Sequence, residues 1–448
     1  MLSAFSVLAL AAAFAAPASA LTATLKMDPV TKQVCADPAK QYAGYLTVSD
    51  QFDVHYFAWL TESRNNPAAD PVVVWFSGGP GCSSSLAMLS ENGPCLANSD
   101  GSGTTFNKYG WNNNATLMYV DQPAGVGFSY GDMGGYSHNE SQVAAHMLVF
   151  FEQFYQHFPQ YAKNPLYIAA ESYGGHYGPS VAYALHMANQ NGQGKFPIAG
   201  VAVGNGLVDP PNQYPTYPDF VEQGCKEEIG KPCVDQSGYE SMVQAVPTCS
   251  QLIKECQNDT STCAEAQAYC NNAMFGPYES TGLNPYDIRI PCEVPPLCYD
   301  FSGISDYLNS ASVQSAIGVN NVQWASCNFQ VNGMFDNDWM KSMAWKVPPM
   351  LEAGIKVWVY AGTDDFIVQW MGDKKWTMEL EWSGKAKYNA ATDVNWSSGG
   401  KVAGQHREFG GLSFTSVYNA GHMAPRDQPE ATLVMLNALI MNQPLPSA

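Results

Sequence analysis

Basic residues are scarce in this chain: 21 Lys and Arg stand against 40 Asp and Glu, a formal net charge of −19 over 448 residues. An acidic surface gains nothing by meeting a polyanion, so nucleic acid and anionic membranes are not expected partners. No His-x-x-x-His or Cys-x-x-Cys pair occurs. The spacing that commonly holds a metal is missing, and neither a metal nor another cofactor is expected. Beyond the first twenty residues no apolar run is long enough to span a bilayer, and there is no internal repeat or low-complexity tract. The mature protein is expected to be soluble, with one large core.

The first twenty residues are apolar and Ala-rich and end in Ala18-Ser19-Ala20. This reads as a signal peptide, residues 1–20, removed after Ala20, although no Lys or Arg precedes its apolar core. Sequons at Asn114, Asn139, Asn258 and Asn395 and an even set of twelve Cys fit the same secretory route. The expected destination is outside the cell or the lumen of a vacuole or lysosome.

Past a short extended arm at 21–44, short apolar runs alternate with helical patterns. Tyr45 to Trp59 reads as a hairpin. Val72 to Phe76, Thr116 to Val120, Leu166 to Ala170 and Ile198 to Val203 read as buried strands. Ser141 to Phe158 carries the apolar stripe of a helix and is ended by Pro159. Strands alternating with helices predict an α/β fold with a mostly parallel sheet and helices on both faces. The pattern breaks after Leu207 and resumes at Ile355. Eight of the twelve Cys fall between Cys225 and Cys298, among many Pro and Asn and no sheet-like run. The expected organisation is a main core of residues 21–207 and 330–448, with a cap at 208–329 stapled by disulfides rather than by its own core.

Leu166 to Tyr177 is the most informative stretch. A strand-forming run meets Ser172 among small residues, and a helical pattern follows from His176 to Asn189. That is the form of a nucleophile elbow, with Ala170 where the usual Gly-x-Ser-x-Gly has its first Gly. A glycine-rich strand–helix turn reads the same way, so the rest of the chain decides. Asp365 follows the apolar strand at Ile355 to Tyr360, and His422 follows a short strand at Phe414 to Tyr418. Both sit past carboxyl ends of strands, where open α/β sheets place their sites. The order Ser172, Asp365, His422 is that of an α/β hydrolase.

With those residues stand longer blocks: Trp75-Phe76-Ser77-Gly78-Gly79-Pro80-Gly81-Cys82-Ser83-Ser84, Glu91-Asn92-Gly93-Pro94, Asp121 to Tyr130, Glu171-Ser172-Tyr173-Gly174-Gly175, Gly204-Asn205-Gly206 and Gly421-His422-Met423. Over nearly all of the mature chain these resemble the serine carboxypeptidases of the carboxypeptidase Y type. The resemblance implies an α/β-hydrolase fold with an inserted disulfide-rich cap and removal of C-terminal amino acids from peptides and proteins. It makes Ser172 the nucleophile, His422 the general base and then acid, and Asp365 the carboxylate that holds the imidazole. Backbone N–H groups of Gly79 and Tyr173 are the implied oxyanion hole.

The free carboxylate of the substrate is held in this family by hydrogen bonds. Here that role falls to Ser77, Gly78, Glu91 and Glu171, with Trp75 as the supporting aromatic. Ser77 departs from the family's Asn and has one donor fewer, which predicts a weaker grip. The departure also leaves open a serine carboxypeptidase-like acyltransferase or esterase, since some plant relatives with that activity depart at the same position. They tend to lose the Glu before the nucleophile, which is kept here as Glu171. A catalytically dead binding protein on the same fold would not need Ser172, Asp365 and His422 together. By family position Tyr173, Leu207, Tyr214, Tyr217, Trp339 and Met423 line apolar substrate pockets, and a nearby acid such as Asp338 would suit basic side chains. The resemblance further implies Cys82–Cys327 and Cys292–Cys298. With it go the nested pairs Cys249–Cys270 and Cys256–Cys263, and then Cys225–Cys233 and Cys35–Cys95. An acidic pH preference follows from the two Glu, which cannot both be charged cheaply near a carboxylate.

Overall fold

The computed structural model describes residues 26–448 apart from Lys32, Asn320 and Asn321; the leader at 1–20 lies outside the described residues. Eleven strands form one sheet: β1 (Lys26–Pro29), β2 (Gln41–Ser49), β3 (Val54–Thr61), β4 (Val72–Phe76), β5 (Thr116–Val120), β6 (Leu166–Glu171), β7 (Ile198–Gly204), β8 (Lys356–Gly362), β9 (Val394–Ser398), β10 (Lys401–Phe409) and β11 (Leu412–Val417). Their order is β1-β2-β3-β5-β4-β6-β7-β8-β11-β10-β9. The pairs from β5 through β11 in that order are parallel, and the two flanks are antiparallel. The arm expected to be merely extended is therefore part of the sheet: β1 pairs with β2 from Lys26 opposite Tyr45.

The central strands are apolar throughout because helices cover both faces. Along β4, Val72, Val74 and Phe76 pack on one side with Val143, Met147, Phe150 and Phe154 of helix α1 (Glu140–His157) and Val181 and Leu185 of α2 (Gly174–Gln190). Val73 and Trp75, one residue out of phase, pack on the other side with Met435, Leu436 and Leu439 of the C-terminal helix Pro429–Ile440. Successive side chains of a strand leave on opposite faces, so one strand serves both cores. Helix α1 starts where Asn139 accepts a hydrogen bond from Gln142 N–H.

The cap is more regular than its composition suggests. It holds a 23-residue helix, Gln236–Asn258, and a 17-residue helix, Cys263–Glu279, and the pair Leu283–Asn284 with Asp287–Pro291 forms a small antiparallel ladder. Met242, Cys249, Ile253 and Cys256 fall on one helical face and are buried with Met274 and Tyr278 in the same core as the sheet. The ladder corrects the expectation of an insertion with no strand, while the cap's helices pack into the core of the sheet and not one of their own. Six disulfides are present: Cys35–Cys95, Cys82–Cys327, Cys225–Cys233, Cys249–Cys270, Cys256–Cys263 and Cys292–Cys298. No helix among the described residues is long and apolar enough to cross a membrane. Asn258 and Asn395 are exposed, while Asn114 and Asn139 are half-buried.

Candidate active site

Ser172 follows β6 directly and has φ of +64°, a left-handed conformation that non-glycine residues hold only where the surroundings enforce it. The carbonyl of Ser172 accepts from Gly175 N–H and Leu207 N–H, and its own N–H donates to Gly204 O. The turn works only with small neighbours. A Cβ on Gly174 would stand 2.9 Å from Phe76 O and 3.0 Å from the Cβ of Ala170. Ala170 therefore fits at the first position of the motif because the residue facing it has no side chain.

Asp365 lies past the end of β8 and is fully buried. Its Oδ2 accepts from His422 Nδ1 at 2.8 Å, from Asn205 Nδ2 at 3.0 Å and from Val368 N–H at 3.2 Å, and its Oδ1 accepts from Ile367 N–H at 3.0 Å. Burial pushes the Asp365 carboxyl up, and the adjacent imidazole and these donors pull it back. With Nδ1–H committed to Asp365, the other ring nitrogen of His422 is left to act as a base.

Ser172 and His422 line one cavity of about 290 Å³, mostly apolar, at the carboxyl edge of the sheet. The same cavity is lined by Ser77, Gly78, Gly79, Glu91, Glu171, Tyr173, Leu207, Tyr214, Tyr217, Trp339 and Met423. A Cβ on Gly78 would lie 2.4 Å from Tyr173 N, so a glycine there leaves room beside that N–H. Trp75 does not reach the cavity. It is buried behind it, where its Nε1–H donates to Ser77 Oγ at 3.1 Å and leaves the Ser77 hydroxyl proton free to turn toward the pocket.

Glu91 and Glu171 are buried beside each other on the cavity wall. Burial pushes Glu91 up to about 7. Burial and then the Glu91 charge push Glu171 well above the usual carboxylate range. The two carboxyls are within hydrogen-bonding reach of each other. Yet Oε2 of each has no donor, because two carboxylates have none to give. One proton held between them would supply it.

Tyr214 and Tyr217 are tied across the cavity. Tyr214 OH donates to Asn271 Oδ1 of the cap at 2.6 Å and accepts from Trp339 Nε1, and Tyr217 OH donates to Ile367 O at 2.6 Å. Asp338 lies behind this wall, not on it. It accepts from Tyr173 OH at 3.0 Å, so it does not face a substrate side chain, and the suggestion that it would suit basic residues is corrected.

Sequence reading gave no role to Asn205 beyond its Gly-Asn-Gly block, although that block closes a strand beside the expected site and was the available signal. It also missed Asn271, Phe275, Tyr286, Leu297, Tyr299 and Phe301, which reach the cavity from the cap. Their separation along the chain gives no pattern to read.

A serine carboxypeptidase family model matches residues 29–442. The chain belongs to the serine carboxypeptidase family. It is 42% identical over 423 residues to a carboxypeptidase Y homolog A of Ajellomyces dermatitidis, covering 92% of this chain and 75% of that protein. It is 41% identical over 411 residues to carboxypeptidase Y of Komagataella phaffii (90% and 76% covered). To serine carboxypeptidase-like 48 of Arabidopsis thaliana it is 40% identical over 401 residues (88% and 77% covered). The fold is similar to that of a crystal structure of a prohormone-processing carboxypeptidase from Saccharomyces cerevisiae, with a TM-score of 0.81 at 24% identity, covering 93% of this chain and 96% of that one. As a serine carboxypeptidase the protein is a hydrolase of peptides, and its fold is that of an α/β hydrolase.

Proposed function

We propose that this serine carboxypeptidase is an exported exopeptidase that releases C-terminal amino acids through an acyl-enzyme at Ser172 and works best at acidic pH. Ser172 Oγ attacks the scissile carbonyl as its proton passes to His422, and the C–O bond forms. The oxyanion meets the N–H groups of Gly79 and Tyr173. His422 then protonates the leaving amine as the C–N bond breaks, and water reverses the sequence on the ester. Asp365 keeps the imidazole in the tautomer this requires, and Asn205 keeps Asp365 in place.

The observation that carries the exopeptidase reading is the Glu91–Glu171 pair in the cavity that holds Ser172. A protonated pair donates to a substrate carboxylate, together with Ser77 and the Gly78 backbone. A pair that has lost its protons repels it. Both groups are raised above the ordinary Glu value, so the donating form is present at low pH and is lost as pH rises through about 7. KM for an N-blocked dipeptide should rise across that range, and KM for the matching amide should not. Glu171→Gln, which keeps a donor at every pH, should flatten the dipeptide profile. Equal pH responses of acid and amide would remove the carboxylate-binding role.

Leu207, Tyr214, Tyr217, Trp339 and Met423 favour apolar residues on either side of the scissile bond. The four sequons, the paired cysteines and the leader support export, to the outside or to a vacuolar or lysosomal lumen. Ser77 favours a second reading, acyl transfer from an ester to an alcohol acceptor. Product analysis with an ester and an added alcohol separates the two, and the retained Glu171 supports hydrolysis of peptides.

A further inference from the structure

The two loops that carry Asp365 and His422 meet a third segment, the cap turn between Asn284 and Arg289. Pro285 O accepts from Phe366 N–H and Ile367 N–H, Tyr286 O accepts from His422 N–H at 2.7 Å, and Ile288 N–H donates to Asp364 O at 2.9 Å. The two loops also join directly, Asp364 N–H to Ala420 O. There is no slack among them: a Cβ on Gly362 would stand 2.1 Å from Gly421 O, and one on Gly421 2.3 Å from Tyr286 O.

Each of the three segments brings a carboxylate to the same place. Asp287 belongs to the cap turn, Asp364 precedes Asp365, and Asp427 follows His422 by five residues. One guanidinium meets all three. Arg289 donates through Nε and Nη2 to the two oxygens of Asp287, both at 2.7 Å, and through Nη2 to Asp427 Oδ2 at 3.3 Å. Its Nη1 lies 3.3 Å from Asp364 Oδ2. Asp427 Oδ2 in turn accepts from Gly421 N–H, beside His422, at 2.7 Å. Among the described residues Arg289 is the only ion-pair partner of each of these carboxylates. The planar fork of an arginine can bridge three acceptors; an ammonium is a point charge that cannot.

We propose that Arg289 is a positioning residue for the reaction, a cap-borne clamp whose guanidinium holds the Asp365 loop and the His422 loop in the register that lets Asp365 orient the imidazole. The proposal rests on the reading that Asp365 and His422 act on Ser172. Without the guanidinium, Asp287, Asp364 and Asp427 face one another in a site largely closed to water, with Glu228 also near Asp364 and only Arg426 near Asp427 to offset them. Burial already pushes Asp364 up to about 7 with Arg289 in place. Removing the cation leaves the three groups to separate or to take up protons, and either outcome loosens the contact between the two loops. Arg289 does not line the cavity, so substrate binding is not its direct concern.

The test is steady-state kinetics of Arg289→Ala on an N-blocked dipeptide and on an ester without a free carboxylate. For both substrates kcat should fall on the order of 10- to 100-fold, the scale of a misplacement of about 1 Å, while KM stays within a few fold. Millimolar guanidinium, far below the molar range that unfolds proteins, should restore several-fold of the lost kcat in the variant and none in the parent. If Arg289→Ala does not fold, Arg289→Lys is measured instead, with a smaller loss in kcat and unchanged KM expected. A folded variant with parental kcat, or a loss that falls on KM and ignores guanidinium, overturns the clamp. His422→Ala run in parallel separates the two readings. If it is inactive while Arg289→Ala is unimpaired, only the clamp fails; if it is fully active, the catalytic reading fails with it.

Discussion

Ser172, Asp365 and His422 stand at the ends of strands buried on both faces, whereas Asn271, Phe275, Tyr286 and Tyr299 reach the same cavity from a cap that carries four of the six disulfides. One wall is rigid because its backbone is locked in a parallel sheet between two apolar layers. The other is rigid because short loops are tied covalently and two helices lend one apolar face to the core beneath. The proposed reacting groups belong to the first wall, and a large part of the apolar surface that would touch substrate side chains belongs to the second. Chemistry and selectivity therefore rest on different sources of order, and each should be open to damage without the other.

The sharpest break in that comparison lies on the sheet side. Ser172→Ala should lower kcat by about 10⁴-fold or more and abolish labelling by a fluorophosphonate, with the circular dichroism of the parent. Retained labelling would place the nucleophile elsewhere. On the cap side, Cys249→Ser with Cys270→Ser opens a loop with a sequence separation of 21. It should cost about 3 kcal/mol of stability in urea unfolding, raise KM through Asn271 and Phe275, and leave kcat nearly intact. A matching fall in kcat would mean that the two walls are not separable. The smallest effect concerns the floor of the site. Ser77→Asn restores a second donor and should lower KM for peptides by a few fold, the worth of about one hydrogen bond, with no comparable gain for amidated substrates.

The same division explains what could be read in advance. Val72–Phe76 and Leu166–Glu171 announce themselves because a strand buried on both faces must be apolar at every position, and a turn as tight as the one at Ser172 admits only small neighbours. His422 and Asp365 could be seen because each follows such a strand. The cap resisted because Pro, Asn and Cys are frequent in it, and Pro247 and Pro277 sit inside its two helices. Its signal was present in a different form: Cys249 and Cys256, then Cys263 and Cys270, are seven apart, two turns of one helical face. Tyr286, Tyr299 and Arg289 had no such signal. Their positions follow from where a turn of the cap happens to meet two loops, which no local period encodes.

The buried acids have one more consequence, in proton traffic. Glu91, Glu140, Glu171, Asp338, Asp364 and Asp373 are all raised in the folded chain, each chiefly by burial. In the unfolded chain the same groups return to ordinary carboxylate values. Between roughly pH 5 and 7 the native protein therefore holds more protons than the denatured one, and unfolding must release them. Its stability should decline as that range is ascended. The heat of unfolding should also depend on the ionisation enthalpy of the buffer that receives those protons, so that the folded enzyme is itself a store of acid that empties when the structure is lost.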